Sequence, residues 1–246
     1  MAKNKLRKFA EMAELNNVFQ SNFEQLREHD FDLKGKWQQD YFRNDNPIVV
    51  ELGCGKGEYT VGLAHLFPNK NFIGVDIKGA RMHSGATQAA QEGLTNAAFI
   101  RTRIELIDHF FAADEVSEIW LTFPDPQMAK PRKRLIGTKM LALYTAFLRD
   151  GGTIHLKTDS NFLFRYTAEM LKINALTPEI STDNLYKTLA DNEILSIKTY
   201  YEQKWLDYGL DIKYVKFALP HSTLVEPTVE IERDTYHSVG YGAQEK

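Results

Sequence analysis

Three glycines at every second position, Gly53, Gly55 and Gly57, sit in the run Glu51-Leu52-Gly53-Cys54-Gly55-Lys56-Gly57, directly behind the apolar stretch Ile48-Val49-Val50. Glycine takes positive φ without strain and lets a ligand approach with no Cβ in the way. A helical pattern follows to about Phe67. The unit therefore reads strand, tight turn, helix, and the start of that helix offers unpaired amide N–H groups to a polar ligand. The third glycine comes one residue earlier than in the dinucleotide fingerprint G-x-G-x-x-G, which disfavours a nicotinamide cofactor.

The same alternation repeats downstream. Pro68-Asn69 breaks the first helix, and Asn71–Val75 reads as a second strand closed by Asp76. A helix near 79–92, a strand at Ala97–Arg101, a short helix near 104–111 and a strand at 116–122 follow. Beyond a proline-rich and basic loop come a helix near 138–148, a turn at Asp150-Gly151-Gly152, a strand at 153–157 and a helix near 160–173. The last third is less regular, with a helix over 199–208 and a closing strand over 212–218. Strands alternating with helices across short turns make βαβ units, a mainly parallel sheet and helices on both faces. Such a doubly wound α/β sheet binds ligands at the carboxyl ends of its strands, near the reversal in strand order. That rule brings Glu51, the glycine turn, Asp76, Asp125 and Asp159 to one edge. The chain divides into a polar extension over 1–46 with a helix near 8–28, the α/β domain over 47–219, and an acidic tail over 220–246.

Composition excludes several classes. With 246 residues and one cysteine, Cys54, there is no internal disulfide framework and no cysteine-based zinc site. The seven histidines show no metal-ligand spacing, so no metal is expected. The N-terminus has no apolar stretch behind its lysines and does not read as a secretory signal, and no apolar run approaches the ~20 residues of a membrane span. A cytoplasmic location follows as the expectation. The net charge of -3 argues weakly against nucleic-acid binding, but its distribution matters more than the sum. Lys130, Arg132, Lys133, Arg134 and Lys139 cluster in one loop, Lys3, Lys5, Arg7 and Lys8 at the start, and Glu226, Glu230, Glu232, Asp234 and Glu245 in the tail. Any one such run is most simply a solvated face.

Three carboxylates stand out. Asp76 lies roughly 20 residues past the glycine turn, where an acid accepts from the ribose hydroxyls of an adenosine cofactor; the plainer alternative is a cap on the next helix. Glu51 ends an apolar strand, where a charge needs partners. Asp125 stands between two prolines in Phe123-Pro124-Asp125-Pro126. Pro126 disfavours helical geometry at Asp125 and the ring sterics stiffen the turn, so the carboxylate is held rigidly, whether for chemistry or merely as part of a turn. Cys54 reads as small loop filler.

Together these features resemble the bacterial TrmB family of tRNA (guanine-N7)-methyltransferases, over about residues 48–217. The resemblance rests on the glycine turn, the acid after the second strand and FPDP. It extends through the basic loop ending Lys133-Arg134-Leu135, the run Gly151-Gly152-Thr153-Ile154-His155-Leu156-Lys157-Thr158-Asp159, and Thr199-Tyr200-Tyr201-Glu202. It implies a class I, Rossmann-like methyltransferase fold with a seven-stranded sheet ending in an antiparallel strand. It also implies S-adenosyl-L-methionine as cofactor and a guanine of the tRNA variable loop as substrate, with no membrane or metal, in a monomer or homodimer. By resemblance, Glu51, Gly53, Gly55, Gly57, Asp76, Arg103 and Asp125 line the cofactor, and Asp125 is also the catalytic acid. Lys130, Arg132, Lys133, Arg134, Asp159, Thr199, Tyr201 and Glu202 take the substrate. The chain departs from the family at Arg103, where an aspartate is usual (Glu105 follows two residues on), at Gln127 in place of a tryptophan, and at Ala129, where Lys130 takes over the substrate lysine. Guanine N7 carries an in-plane lone pair and no proton, so an in-line displacement needs no general base and rests on positioning and electrostatics. A small-molecule methyltransferase on the same scaffold, which has no use for a basic loop, is the alternative. A non-catalytic RNA-binding protein with this fold is another.

Overall fold

The computed structural model describes residues 2–21, 23–195 and 197–235. Of the terminal charges singled out above, Glu245 and the side chains of Lys3 and Lys5 lie outside the described residues. The elements run α1 (Ala2–Ala13), β1 (Val18–Gln20), α2 (Phe23–Glu28), β2 (Ile48–Leu52), α3 (Glu58–Leu66), β3 (Asn71–Val75), α4 (Gly79–Gln91), β4 (Ala97–Arg101) and β5 (Val116–Thr122). They continue through α5 (Thr138–Tyr144), β6 (Leu148–Thr158), α6 (Asn161–Ile173), β7 (Ile180–Thr182), α7 (Leu185–Thr188), α8 (Tyr200–Asp207) and β8 (Lys213–Leu219).

One eight-stranded sheet has the order β1-β4-β3-β2-β5-β6-β8-β7. The pairs β1 to β6 are parallel, and β8 runs antiparallel to both β6 and β7. The strand order reverses between β2 and β5, so the crevice for a ligand opens where these two strands end. The sheet has one strand more than the family resemblance implies. The stretch near 8–28 is not one helix: β1 interrupts it and pairs parallel with β4. The N-terminal segment is anchored by Trp37, wholly buried, whose Nε1 donates to the Phe110 carbonyl at 2.8 Å.

Alternation along the strands sorts the core into two layers. Ile48, Val50 and Leu52 face one layer with Ile73, Val75, Leu141, Phe147 and Leu163. Val49 faces the other, with Tyr59, Leu63, Phe99, Trp120 and Trp205. Odd and even positions of β6 divide likewise: Ile154 and Leu156 join the first layer, which turns His155 and Lys157 toward α3 and α8. The Asp150-Gly151-Gly152 turn proves to be a bulge inside β6. Gly151 has φ 67°, and the register jumps from Val116↔Leu148 to Glu118↔Thr153.

Candidate active site

At the end of β2 the chain turns through Gly53, Gly55 and Gly57 with φ of 83°, 57° and 75°. The amides of Gly53 and Cys54 both donate to the Val75 carbonyl, at 2.8 and 3.0 Å, which straps the turn over β3. A Cβ on Gly57 would lie 2.7 Å from the Phe99 ring and 3.2 Å from Gly85 Cα. Gly57 is therefore there for close packing of α3 on α4. A Cβ on Gly55 would meet nothing within 4 Å, so the space above Gly55 is open.

Asp76 follows β3. Its carboxylate accepts from the Gly55 amide at 3.0 Å and from the Lys78 amide at 2.7 Å. Each oxygen keeps a further lone pair. Across the crevice, β5 leads into the FPDP turn. Phe123 and Gln127 take φ of 50° and 46°, the left-handed region that bulky residues rarely enter. The Phe123 amide donates to Lys157 O at 2.8 Å, and the Gln127 amide donates to Asp125 Oδ1 at 3.0 Å. Asp76, Asp125, Gly53, Gly55, Thr199 and Tyr201 are among the walls of one cavity of about 160 Å³. A wider one of about 900 Å³ lies at the ends of β3 and β4, lined by Arg101, Arg103, Glu105, by Gln20 and Phe23 of the N-terminal segment, and by Ile77, which stands in sequence between Asp76 and Lys78 of the first. Phe23 and Ile77 are both about half exposed there, at 57% and 48%.

Thr199 caps α8 by accepting from the Glu202 amide at 3.1 Å. The Tyr200 amide donates to Glu58 at 3.1 Å. Lys56 lies 3.8 Å from the Tyr200 ring centroid and Arg81 5.5 Å from that of Tyr201. The start of α8 is thereby laid against the glycine turn.

Four expected site residues sit elsewhere. Glu51 is buried beneath the turn, accepting from the Thr60 amide at 2.9 Å and from the hydroxyls of Thr60 and Thr122. Burial pushes its carboxyl up to about 7 against the pull of those bonds. Its place follows from alternation: it shares a face of β2 with Val49 and so points at α3. Glu202 is also wholly buried, ion-paired with Lys157 at 2.9 Å and accepting from the Tyr186 hydroxyl. Its second oxygen has no hydrogen-bond partner among the described residues. Burial holds the Lys157 ammonium below its usual value, although Glu202 pulls it up. Asp159 is buried at the end of β6, where Lys213 Nζ donates to its carbonyl at 2.9 Å. Arg134 departs most from expectation. It is 4% exposed and turned inward, whereas Lys130, Arg132 and Lys133 of the same loop are exposed. Lys157 and Tyr186 escaped the sequence reading. The signal for Lys157 was a charge in the expected strand Thr153–Lys157, on the face His155 also takes and opposite Ile154 and Leu156. Among the described residues no group of three or more His, Cys, Asp or Glu is placed to hold a metal. No described helix is long and apolar enough to cross a membrane.

A family model described as "Putative methyltransferase" matches residues 45–215. A tRNA (guanine-N(7)-)-methyltransferase of Bacteroides thetaiotaomicron is 59% identical over 239 residues, covering 97% of this chain and 95% of the relative. The chain belongs to the tRNA (guanine-N7)-methyltransferase family. Another relative bearing that name, from Porphyromonas gingivalis, is 57% identical over 90% of this chain and 93% of its own. A more distant one from Clostridium acetobutylicum is 32% identical over 75% and 86%. Among solved structures, an antibiotic-related methyltransferase superposes with a TM-score of 0.54 at 13% identity, covering 76% of this chain and 94% of that one. A 16S rRNA methyltransferase gives 0.50 at 17%, covering 80% and 92%. These two share the fold.

Proposed function

We propose that this chain transfers the methyl group of S-adenosylmethionine to N7 of a guanine in tRNA, in the cytoplasm. The observation that carries this is the juxtaposition of Asp125 with Asp76 and the glycine turn around a single cavity, in a chain whose relatives bear that activity in their names.

The residues fit such a cofactor. An open space above Gly55, an acid whose outer lone pairs remain available for ribose hydroxyls, and a wide cavity with half-exposed Phe23 and Ile77 suit an adenosine. Thr199 and Tyr201 would close the other end. Glu51 serves from below: its bonds to Thr60 and Thr122 tie α3 and β5 to the strand that carries the turn. When bound, S-adenosylmethionine supplies an electrophilic methyl group. No protein group has to remove a proton from N7. Asp125 faces the guanine edge and offsets the positive charge that the base acquires. Lys130, Arg132 and Lys133, exposed beside it, hold the phosphates, so affinity falls with salt. A guanine paired in folded tRNA has to be drawn out, at a cost of a few kcal/mol.

The test is incubation with labelled S-adenosylmethionine and bulk tRNA lacking the modification, followed by borohydride–aniline cleavage to map N7-methylguanine. Label in tRNA with strand scission at a single variable-loop guanine is the expected result. Label at another atom, or none in tRNA with label in a small molecule, overturns the proposal.

A further inference from the structure

The basic loop contains one member that does not face solvent. Arg134 donates from Nε to the Pro126 carbonyl at 3.1 Å and from a terminal nitrogen to the Gln127 carbonyl at 3.4 Å. Its guanidinium lies over the Tyr166 ring at 4.0 Å and the Phe162 ring at 4.9 Å. Glu226, from the segment beyond β8, stands 3.7 Å from its Nη1. The same carboxylate accepts from the Tyr166 hydroxyl at 2.8 Å and from Thr138 at 2.6 Å.

We propose that Arg134 is a positioning residue for Asp125, and that Glu226 from the C-terminal segment holds it in that role. The chain of contacts is continuous. Gln127 sits at φ 46° and its amide is committed to Asp125 Oδ1. The peptide planes on either side of Gln127 are therefore what aim that amide at the carboxylate. A planar fork gripping the carbonyls of both Pro126 and Gln127 fixes those two planes, as a flexible ammonium does not. Stacking on Tyr166 and Phe162 of α6 makes the fork rigid, and the half-exposed Glu226 carboxylate balances the charge of the buried guanidinium. The segment around Glu226 thus belongs to the framework of the catalytic loop.

This inference rests on the role proposed for Asp125, and a double-mutant cycle separates the two. Arg134→Lys keeps the charge and loses the fork; Glu226→Gln, at a side chain 44% exposed, loses the charge and keeps the shape. Each is made alone and with Asp125→Ala. S-adenosylmethionine affinity, KM for tRNA and single-turnover rate are measured, with thermal melting as the check on folding. Misplacement of a catalytic group by about an ångström costs about 10²-fold. Arg134→Lys is expected to lower the rate about 10- to 100-fold with KM and cofactor affinity within about twofold, and Glu226→Gln less. In the Asp125→Ala background both losses are expected to shrink to under about twofold, since residues acting as a unit are non-additive. An undiminished loss in that background overturns the inference, as does a raised KM with an unchanged rate, which would make Arg134 a substrate contact. Wild-type turnover in both variants overturns it too. If Arg134→Lys does not melt cooperatively, Glu226→Gln decides alone. A wild-type rate in Asp125→Ala by itself would instead overturn the role of Asp125.

Discussion

At the scale of single residues, Glu51 and Asp125 are two carboxylates at the ends of neighbouring strands with opposite surroundings. Asp125 is partly exposed in the cavity wall, whereas Glu51 is sealed under it with three donors. Desolvation raises the Glu51 carboxyl from 4.5 to about 7. The native state therefore binds a proton more readily than the unfolded chain. Stability from this site is fully present below pH 4.5 and falls as pH rises through 7, by on the order of 3 kcal/mol at 1.36 kcal/mol per unit. Glu51→Gln should flatten that decline, read as the urea midpoint between pH 5 and 8; an equally steep decline in the variant would show that Glu51 is not its source. Glu51→Ala leaves buried donors unpaired and should cost about 1–3 kcal/mol, while weakening cofactor binding through the turn it supports, as calorimetric titration would report.

At the scale of elements, the glycine turn separates packing from binding. Gly57→Ala drives a methyl into Phe99 and the backbone of Gly85, so it should destabilise by about 1–3 kcal/mol. Gly55→Ala meets no protein atom within 4 Å. Its melting temperature should drop less than that of Gly57→Ala while its affinity for S-adenosylmethionine falls more; the reverse ranking would refute the assignment. The turn and the strands β2 to β5 were legible in sequence because each strand centres on a short apolar run, such as Ile48-Val49-Val50 or Ile119-Trp120-Leu121, and β2, β3 and β5 are closed by the glycine turn, Asp76 and the FPDP turn. The edge strands β1 and β7, three residues each, carry too little pattern to stand out, and pairing with β4 and β8 defines them. The glycines at 151 and 152 signalled a turn, and the local conformation is one, but partners on β5 and β8 keep the strand going through it. Arg134 could not be told from Arg132 and Lys133 by composition. Only the three-dimensional placement of Tyr166, Phe162 and Glu226 turns it inward. Glu202 was legible as important but not in direction, because its partner Lys157 comes from a strand 45 positions earlier, as the two numbers give by subtraction.

At the scale of the whole molecule, a chain of net charge -3 binds a polyanion through local charge. Neutralising Arg132 and Lys133 together should lower the slope of log affinity against log salt by about 1.4–1.8, two phosphate contacts at roughly 0.7–0.9 each, in filter-binding or anisotropy titrations with tRNA. An unchanged slope would move the tRNA to another face. Two acids of the tail are taken up by the fold: Asp234 accepts from Ser160 and from the Phe162 amide at the start of α6, and Glu226 from Tyr166 and Thr138. Lys130, Arg132 and Lys133 stay exposed in the loop that follows Asp125. Everything turns on Asp125 acting on the base and not merely shaping the pocket. Single-turnover N7 methylation of tRNA by Asp125→Ala, with S-adenosylmethionine affinity measured on the same preparation, addresses this most directly. The predicted result is affinity within about threefold of wild type and a rate lowered by about 10²-fold or more. A wild-type rate, or a loss accounted for by weaker cofactor binding alone, would contradict it.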